Sequence, residues 1–370
     1  MTAFLSHCVR IGCWLALSLL AAMPGPAYSQ VVTGVGFRAI TIHDPVSGGT
    51  MPGYVFYPSM QAKGVTWVGP YKLHATANAT PTAGAKPLVV ISHGHGGSDL
   101  GQHDLAVYLA RHGFVVATLQ HPRDNFLDDR GNGTASVEIG RPIQVKATVT
   151  KLLHDPRWKT LIDPSRIGVA GFSSGGYTAL MVVGAVPQFS RLIGFCKRVN
   201  DPGICDTVRR VVASAHQTSR RYFAAMQNDL GKWGNTDDPR VKAAFVMAPF
   251  SLVFDKAGLS HIHRPVFLYY GQDDSVLLPK YNVLHIAPLI KTLVGIRMIP
   301  KAGHYVFLSP CSPALTKHLP DLCRDAPGVD RVAVHRQINS TALTFFRKTL
   351  AVPRMAENWQ AGPGHEHGIQ

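Results

Sequence analysis

The stretch RIGVAGFSSGGYTALMVVGA, residues 166–185, constrains the fold of this chain more than any other. Residues 166–170 read as a short buried strand with β-branched Ile167 and Val169, and an apolar helical run begins at Gly176. Between them, Gly171-Phe172-Ser173-Ser174-Gly175 fits the pattern G-x-S-x-G. A strand, a tight turn and a helix around that pattern make a nucleophile elbow. The serine sits on a strained turn, and its glycine neighbours avoid Cβ clashes with the adjoining strand and helix. Without those flanking elements the pattern would be an ordinary Ser/Gly-rich loop. Reading the frame from Ser174 loses the first glycine, so Ser173 is the candidate nucleophile.

The rest of the chain supplies a sheet for such an elbow. Residues 36–45 and 50–58 read as two strands joined by a turn at Gly48-Gly49, and 59–86, rich in Ala, Thr, Gly and Pro, as a surface connection. Apolar runs at 87–92, 114–119, 241–247, 265–270 and 295–299 have the composition of buried parallel strands. Helical patterns cover about 102–112 and 141–153, with a polar glycine-containing loop at 128–134 between them. A last helix covers about 332–350, with Ile338, Ala342, Phe345 and Phe346 on its apolar side. This alternation predicts an α/β fold, a mostly parallel central sheet flanked by helices. Residues 187–239 break the pattern. They are basic and polar, with one helical stretch at 207–230, and read as a cap-like insertion over the carboxyl edge of the sheet, where ligands enter such folds. The competing reading is a peripheral excursion away from the site.

At 370 residues and 46% apolar composition the chain can bury a full core, expected at 30–352. Ahead of it, Arg10 precedes an apolar run at 11–22, then Pro24-Gly25-Pro26 and the small residues of Ala27-Tyr28-Ser29. That is the layout of a signal peptide over 1–29, so the protein is expected to be exported, periplasmic or secreted. Beyond Val352 the composition turns to Gly, Pro and His, and 353–370 reads as a disordered tail. Four cysteines come after the signal, an even number suited to disulfides in an exported chain. Of the three possible connectivities, Cys196–Cys205 and Cys311–Cys323 are favoured, since each would clamp a local loop. The absence of any C-x-x-C spacing speaks against zinc. The formal charge of +15 falls to +14 without Arg10, and much of it lies between Arg191 and Arg240. Such an excess favours acidic substrates or peripheral contact with an anionic envelope surface. No nucleic-acid-binding signature accompanies it.

A serine hydroxyl needs a base, and the base needs an orienting acid. After an elbow the expected order is serine, acid, histidine. Tyr269-Tyr270-Gly271-Gln272-Asp273-Asp274 places two carboxylates just past a strand, and Ala302-Gly303-His304-Tyr305 places a histidine just past the next. His304 is one of eighteen histidines, so its position carries the argument. Asp274 lies further beyond the strand than Asp273 and is preferred as the acid; the other aspartate would cap or hydrogen-bond the loop. An oxyanion requires two N–H donors. One is the amide of Ser174. The other is assigned to His95 in His93-Gly94-His95-Gly96-Gly97, a loop of the HG-x-G type. His93, His95, His103 and Asp104 also invite a metal reading, but no complete ligand set at known spacing is present, and neither metal nor cofactor is expected.

The stretches VVISHGHGGS, GFSSGGYTAL, LYYGQDD and KAGHYVFLSPCSP together resemble the α/β-hydrolases. The closer resemblance is to the predicted dienelactone hydrolases and the secreted platelet-activating-factor acetylhydrolases. It implies an α/β-hydrolase fold, Ser173, Asp274 and His304 as nucleophile, acid and base, and Ser174 and His95 as the oxyanion hole. The segment Ser275-Val276-Leu277-Leu278-Pro279 resembles the stretch after the acid in those enzymes. Dienelactone hydrolases proper carry a cysteine where this chain has Ser173, and the Gly-His-Ser elbow of the acetylhydrolases reads Gly-Phe-Ser here. The expected activity is cleavage of a small-molecule or lipid ester, acetyl esters included, through an acyl-enzyme. Two alternatives stand beside it: an amidase or peptidase using the same triad, and a non-catalytic envelope-lipid-binding protein on a hydrolase scaffold. Oligomeric state is not encoded in any pattern found.

Overall fold

The computed structural model describes residues 34–61, 64–199 and 201–351. The segments expected as signal peptide and tail lie outside the described residues. Eleven strands form in chain order: β1 Gly34–His43, β2 Thr50–Ser59, β3 Thr66–Val68, β4 Tyr71–Leu73, β5 Thr76–Ala77, β6 Lys86–Ser92, β7 Val115–Leu119, β8 Ile162–Phe172, β9 Val241–Met247, β10 Val266–Gly271 and β11 Leu293–Ile299. Nine of them make one sheet in the order β11-β10-β9-β8-β6-β7-β2-β1-β5. β6 to β11 run parallel, while β2 pairs antiparallel with β7 and β1 antiparallel with β2. Four of the strands read from apolar runs, β6, β7, β9 and β10, lie inside the sheet, and in β6 Leu88, Val89, Val90 and Ile91 are all buried. The run 295–299, expected to be buried as well, is instead the edge strand β11, where Ile296 and Met298 are exposed because no strand pairs beyond it.

After β6 the chain first steps to β7 on one side and then returns to lay β8 on the other. The direction of winding therefore reverses between β6 and β8, and a crevice opens outside their carboxyl ends. One face of the sheet is covered by α1 His103–Arg111 and by the long helix Arg331–Thr349, which buries Ile338, Ala342, Phe345 and Phe346 against it. On the other face lie α3 Gly140–His154, preceded by the one-turn α2 Ala135–Glu138, and α4 Ser174–Val182.

Two other expectations are corrected. Residues 59–86 are more than a surface connection: β3 and β4 form a small hairpin, β5 extends the sheet edge, and Leu73, Ala75 and Ala79 are buried. Tethers hold this segment down, with Tyr57 donating to the Ala79 carbonyl at 2.8 Å and Ser59 to that of Thr80 at 2.9 Å. Its apolar residues are spaced singly, so no periodicity announces the packing. The single helix expected at 207–230 is two helices, α6 Pro202–Ser214 and α7 Ser219–Lys232, preceded by α5 Arg191–Arg198. The break falls where His216 adopts a positive φ of 50° and Thr218 caps α7 by accepting the Arg221 amide at 3.3 Å. Cys196 pairs with Cys205, joining α5 to α6, and Cys311 pairs with Cys323.

Candidate active site

Ser173 stands between β8 and α4 at φ 56°, ψ −119°, a left-handed conformation that costs a serine about 1–3 kcal/mol and persists only where the surroundings impose it. Here they do. The Ser173 amide donates to the Met247 carbonyl at 2.9 Å, and its own carbonyl accepts from Tyr177 at 3.1 Å and Phe250 at 3.2 Å. The flanking glycines answer to space: a Cβ on Gly171 would lie 2.0 Å from the Gly175 carbonyl oxygen, and one on Gly175 would lie 1.9 Å from that of Ser92. Only at these positions can β6, β8 and α4 approach as they do.

The acid loop comes after β10. Asp274 is buried, whereas Asp273 is exposed. Asp274 Oδ1 accepts the amides of Val276 at 2.9 Å and Leu277 at 2.7 Å, and its Oδ2 faces His304 Nδ1 at 2.7 Å. A carboxylate can only accept, so Nδ1 carries the imidazole proton and Nε2 is left as an acceptor. Nε2 lies 3.0 Å from Ser173 Oγ. His304, 4% exposed, opens the turn His304–Phe307 and packs its ring against Phe172, with centroids 4.8 Å apart. The Asp273 amide donates to the Ala302 carbonyl at 3.0 Å, tying the acid loop to the histidine loop. The three expected residues are thus brought into one hydrogen-bonded line.

The glycine loop after β6 folds against the elbow. Gly97 donates back to Gly94 at 3.1 Å, and Gly94 comes so near Ser173 that a Cβ there would lie 3.3 Å from the serine's own. Neither the His95 nor the Ser174 amide has a hydrogen-bond partner among the described residues. Both residues line the same cavity as Ser173. Two free N–H donors beside a serine oxygen are the chemical requirement for holding an oxyanion.

Beneath this loop lies a network that the sequence did not announce. Arg141, 1% exposed, bonds the Asp124 carboxylate, the His93 carbonyl, Ser92 Oγ at 3.2 Å and Thr178 Oγ1 at 3.1 Å. Asp124 in turn holds His95 Nδ1 and accepts the Gly96 amide at 3.2 Å. His93 Nε2 accepts the His121 amide at 3.0 Å, so its Nδ1 donates to the Gly94 carbonyl at 2.6 Å. Burial, reinforced by the Arg141 charge, pushes His93 down to about 3 and His121 well below its ordinary value. Both rings are therefore neutral spacers, used up in structural hydrogen bonds. His103 Nδ1 meets the Leu100 carbonyl at 2.9 Å, and Asp104 pairs with His335 at 2.7 Å. Among the described residues, no group of three or more His, Cys, Asp or Glu side chains is placed to hold a metal.

The cavity has a volume of about 160 Å³. Leu192 of α5, Val208 of α6 and Phe223 and Met226 of α7 line it together with Ser173, so residues of the 187–239 segment border the cavity. Among the described residues no helix is long and apolar enough to cross a membrane.

No family model and no curated protein matches the chain. Among solved structures it is similar to a ferulic acid esterase from Streptomyces cinnamoneus, with a TM-score of 0.54 and 17% identity over 88% of this chain and 92% of that one. At that identity the likeness speaks to architecture: the chain has the α/β-hydrolase fold.

Proposed function

We propose that the protein is an exported serine hydrolase that cleaves carboxylic esters through an acyl-enzyme. One observation carries this reading: the line Asp274–His304–Ser173, with contacts of 2.7 and 3.0 Å, ends at a serine that opens into a cavity. In the reaction Ser173 Oγ attacks the ester carbonyl as its proton passes to His304 Nε2. Asp274 keeps the other imidazole nitrogen protonated and stabilises the imidazolium. The negative oxygen is met by the amides of His95 and Ser174. His304 returns the proton to the departing alcohol, and water then attacks the acyl-enzyme by the same route, releasing the acid and Ser173. No cofactor enters this scheme.

An ester is favoured over an amide because the solved structure sharing the fold is an esterase. The motif likeness to dienelactone hydrolases and platelet-activating-factor acetylhydrolases belongs to the same reading. Two disulfides support export to an oxidising compartment, periplasmic or extracellular. The 187–239 segment acts as the cap that selects the substrate.

Steady-state kinetics on a panel of short and aromatic esters test the assignment. Ser173→Ala is expected to lower kcat by about a million-fold and Asp274→Asn by about ten-thousand-fold, with folded structure retained. Asp273→Asn, at an exposed side chain, should stay within about threefold of wild type. Full activity in Ser173→Ala on every ester would end the proposal.

A further inference from the structure

The cavity beside Ser173 is apolar over most of its wall; besides Ser173, Ser174 and Thr207, its polar lining is the group His95, Asn132, Gly133 and Glu138. Glu138 ends the short helix α2, and its backbone is fixed by Tyr177, whose hydroxyl donates to the Glu138 carbonyl at 2.9 Å. Its side chain is half-buried and lines the cavity. Oε1 accepts the Gly133 amide at 3.2 Å. Among the described residues Oε2 has no hydrogen-bond partner, and no cation is ion-paired with the carboxyl. The nearby Arg141 is already spent on Asp124 and the His93 carbonyl. The patch is held in place from the cap as well, since Tyr222 of α7 donates to the Gly133 carbonyl at 2.9 Å.

A carboxyl facing an apolar cavity without a cation is costly to retain unless something in the cavity completes it. Burial raises the Glu138 carboxyl to about 7, the Asp124 charge adds to the rise, and Arg141, the Gly133 amide and His95 oppose it. Near neutrality much of it is protonated, and it can then both give and accept a hydrogen bond. That suits a neutral hydroxyl better than an ammonium group or a second carboxylate. Size narrows the ligand further, because a cavity of about 150 Å³ takes a benzene ring.

We propose that Glu138 determines specificity by hydrogen-bonding a hydroxyl on the apolar group of the ester that enters this cavity. The inference rests on the hydrolase reading of Ser173. The substrate class is a carboxylic ester whose cavity-bound part is apolar, about the size of a phenyl ring, and hydroxylated.

The test compares kcat/KM for hydroxylated and hydroxyl-free partners in two series. Methyl 3-(3-hydroxyphenyl)- and 3-(4-hydroxyphenyl)propanoate are set against methyl 3-phenylpropanoate, and 3- and 4-hydroxybenzyl acetate against benzyl acetate. Wild type should prefer a hydroxylated member by about tenfold or more in one series. Glu138→Leu should bring that ratio to about one, and Glu138→Gln, which keeps a donor and an acceptor, should retain part of it. Each ratio is taken within one preparation, so any misfolded fraction cancels. No hydroxyl preference in either series, a preference that survives Glu138→Leu, or a stronger preference for the aminomethyl counterparts overturns the proposal. Turnover without hydroxyl preference overturns it alone. No turnover of any ester, together with no fluorophosphonate adduct, removes the hydrolase reading and this inference with it.

Discussion

Arg141 shows how much of the site depends on a residue that does no chemistry. Its guanidinium joins Asp124, Ser92, Thr178 and the His93 carbonyl, and so fixes the loop that presents the His95 amide. Both members of its pair with Asp124 are 1% exposed. Removing one partner of such a pair leaves the other charged and buried, a loss of about 3–5 kcal/mol. Arg141→Met should therefore lower stability to chemical denaturation by about that amount. Arg141→Lys should fail to restore it, because an ammonium cannot span four acceptors in the plane of a guanidinium. At this scale the sequence was legible where a motif fixes the backbone. Ser173, Asp274 and His304 stand where strand ends and glycines placed them, and they meet. Arg141, Asp124 and Glu138 carry no motif. Arg141 reads only as the start of a helix and Glu138 as a polar residue before one, since their partners come from distant strands and loops.

Among the elements, α1 and the long helix Arg331–Thr349 are stitched together by Asp104. Its carboxylate accepts from Ser309 Oγ at 2.5 Å, His335 Nδ1 at 2.7 Å and Asn339 Nδ2 at 2.8 Å. Burial alone would lower His335, but the Asp104 charge, their hydrogen bond and the Val306 carbonyl outweigh it and leave the imidazole raised. Burial likewise opposes ionisation of Asp104, yet His335 and Ser309 hold the carboxyl below the usual carboxylate range. A raised histidine contributes stability that is complete below its unfolded value, about 6.5, and lost as pH rises through the folded value. A depressed carboxylate contributes above its unfolded value, about 3.9, and loses that as pH falls through the folded one. The pair is at full strength between about pH 4 and 6.5. The stability difference between wild type and His335→Gln should be largest in that window and shrink above it; urea denaturation at stepped pH measures this. A difference that grows toward alkaline pH would contradict the pairing. The core strands and this helix were legible from apolar runs and 3.6-residue spacing. The cap was less so, because Thr218 and the left-handed His216 interrupt what reads as one helical stretch, and caps are short-range signals easily lost in polar sequence.

For the whole molecule, the reversal of winding between β6 and β8 decides where everything else gathers. The glycine loop leaves one of those strands and the elbow the other, and the acid and histidine loops arrive after β10 and β11. Three helices after α4, two of them joined by Cys196–Cys205, contribute side chains to the lining of the cavity beside Ser173. Such an assembly should make Ser173 an activated nucleophile. The most direct measurement is reaction of the folded protein with a fluorophosphonate, read by intact mass and peptide mapping, in parallel with Ser173→Ala. An activated Ser173 should give one adduct per chain, on Ser173, and none in the variant. No adduct on folded wild type, or an adduct that persists in Ser173→Ala, would contradict it.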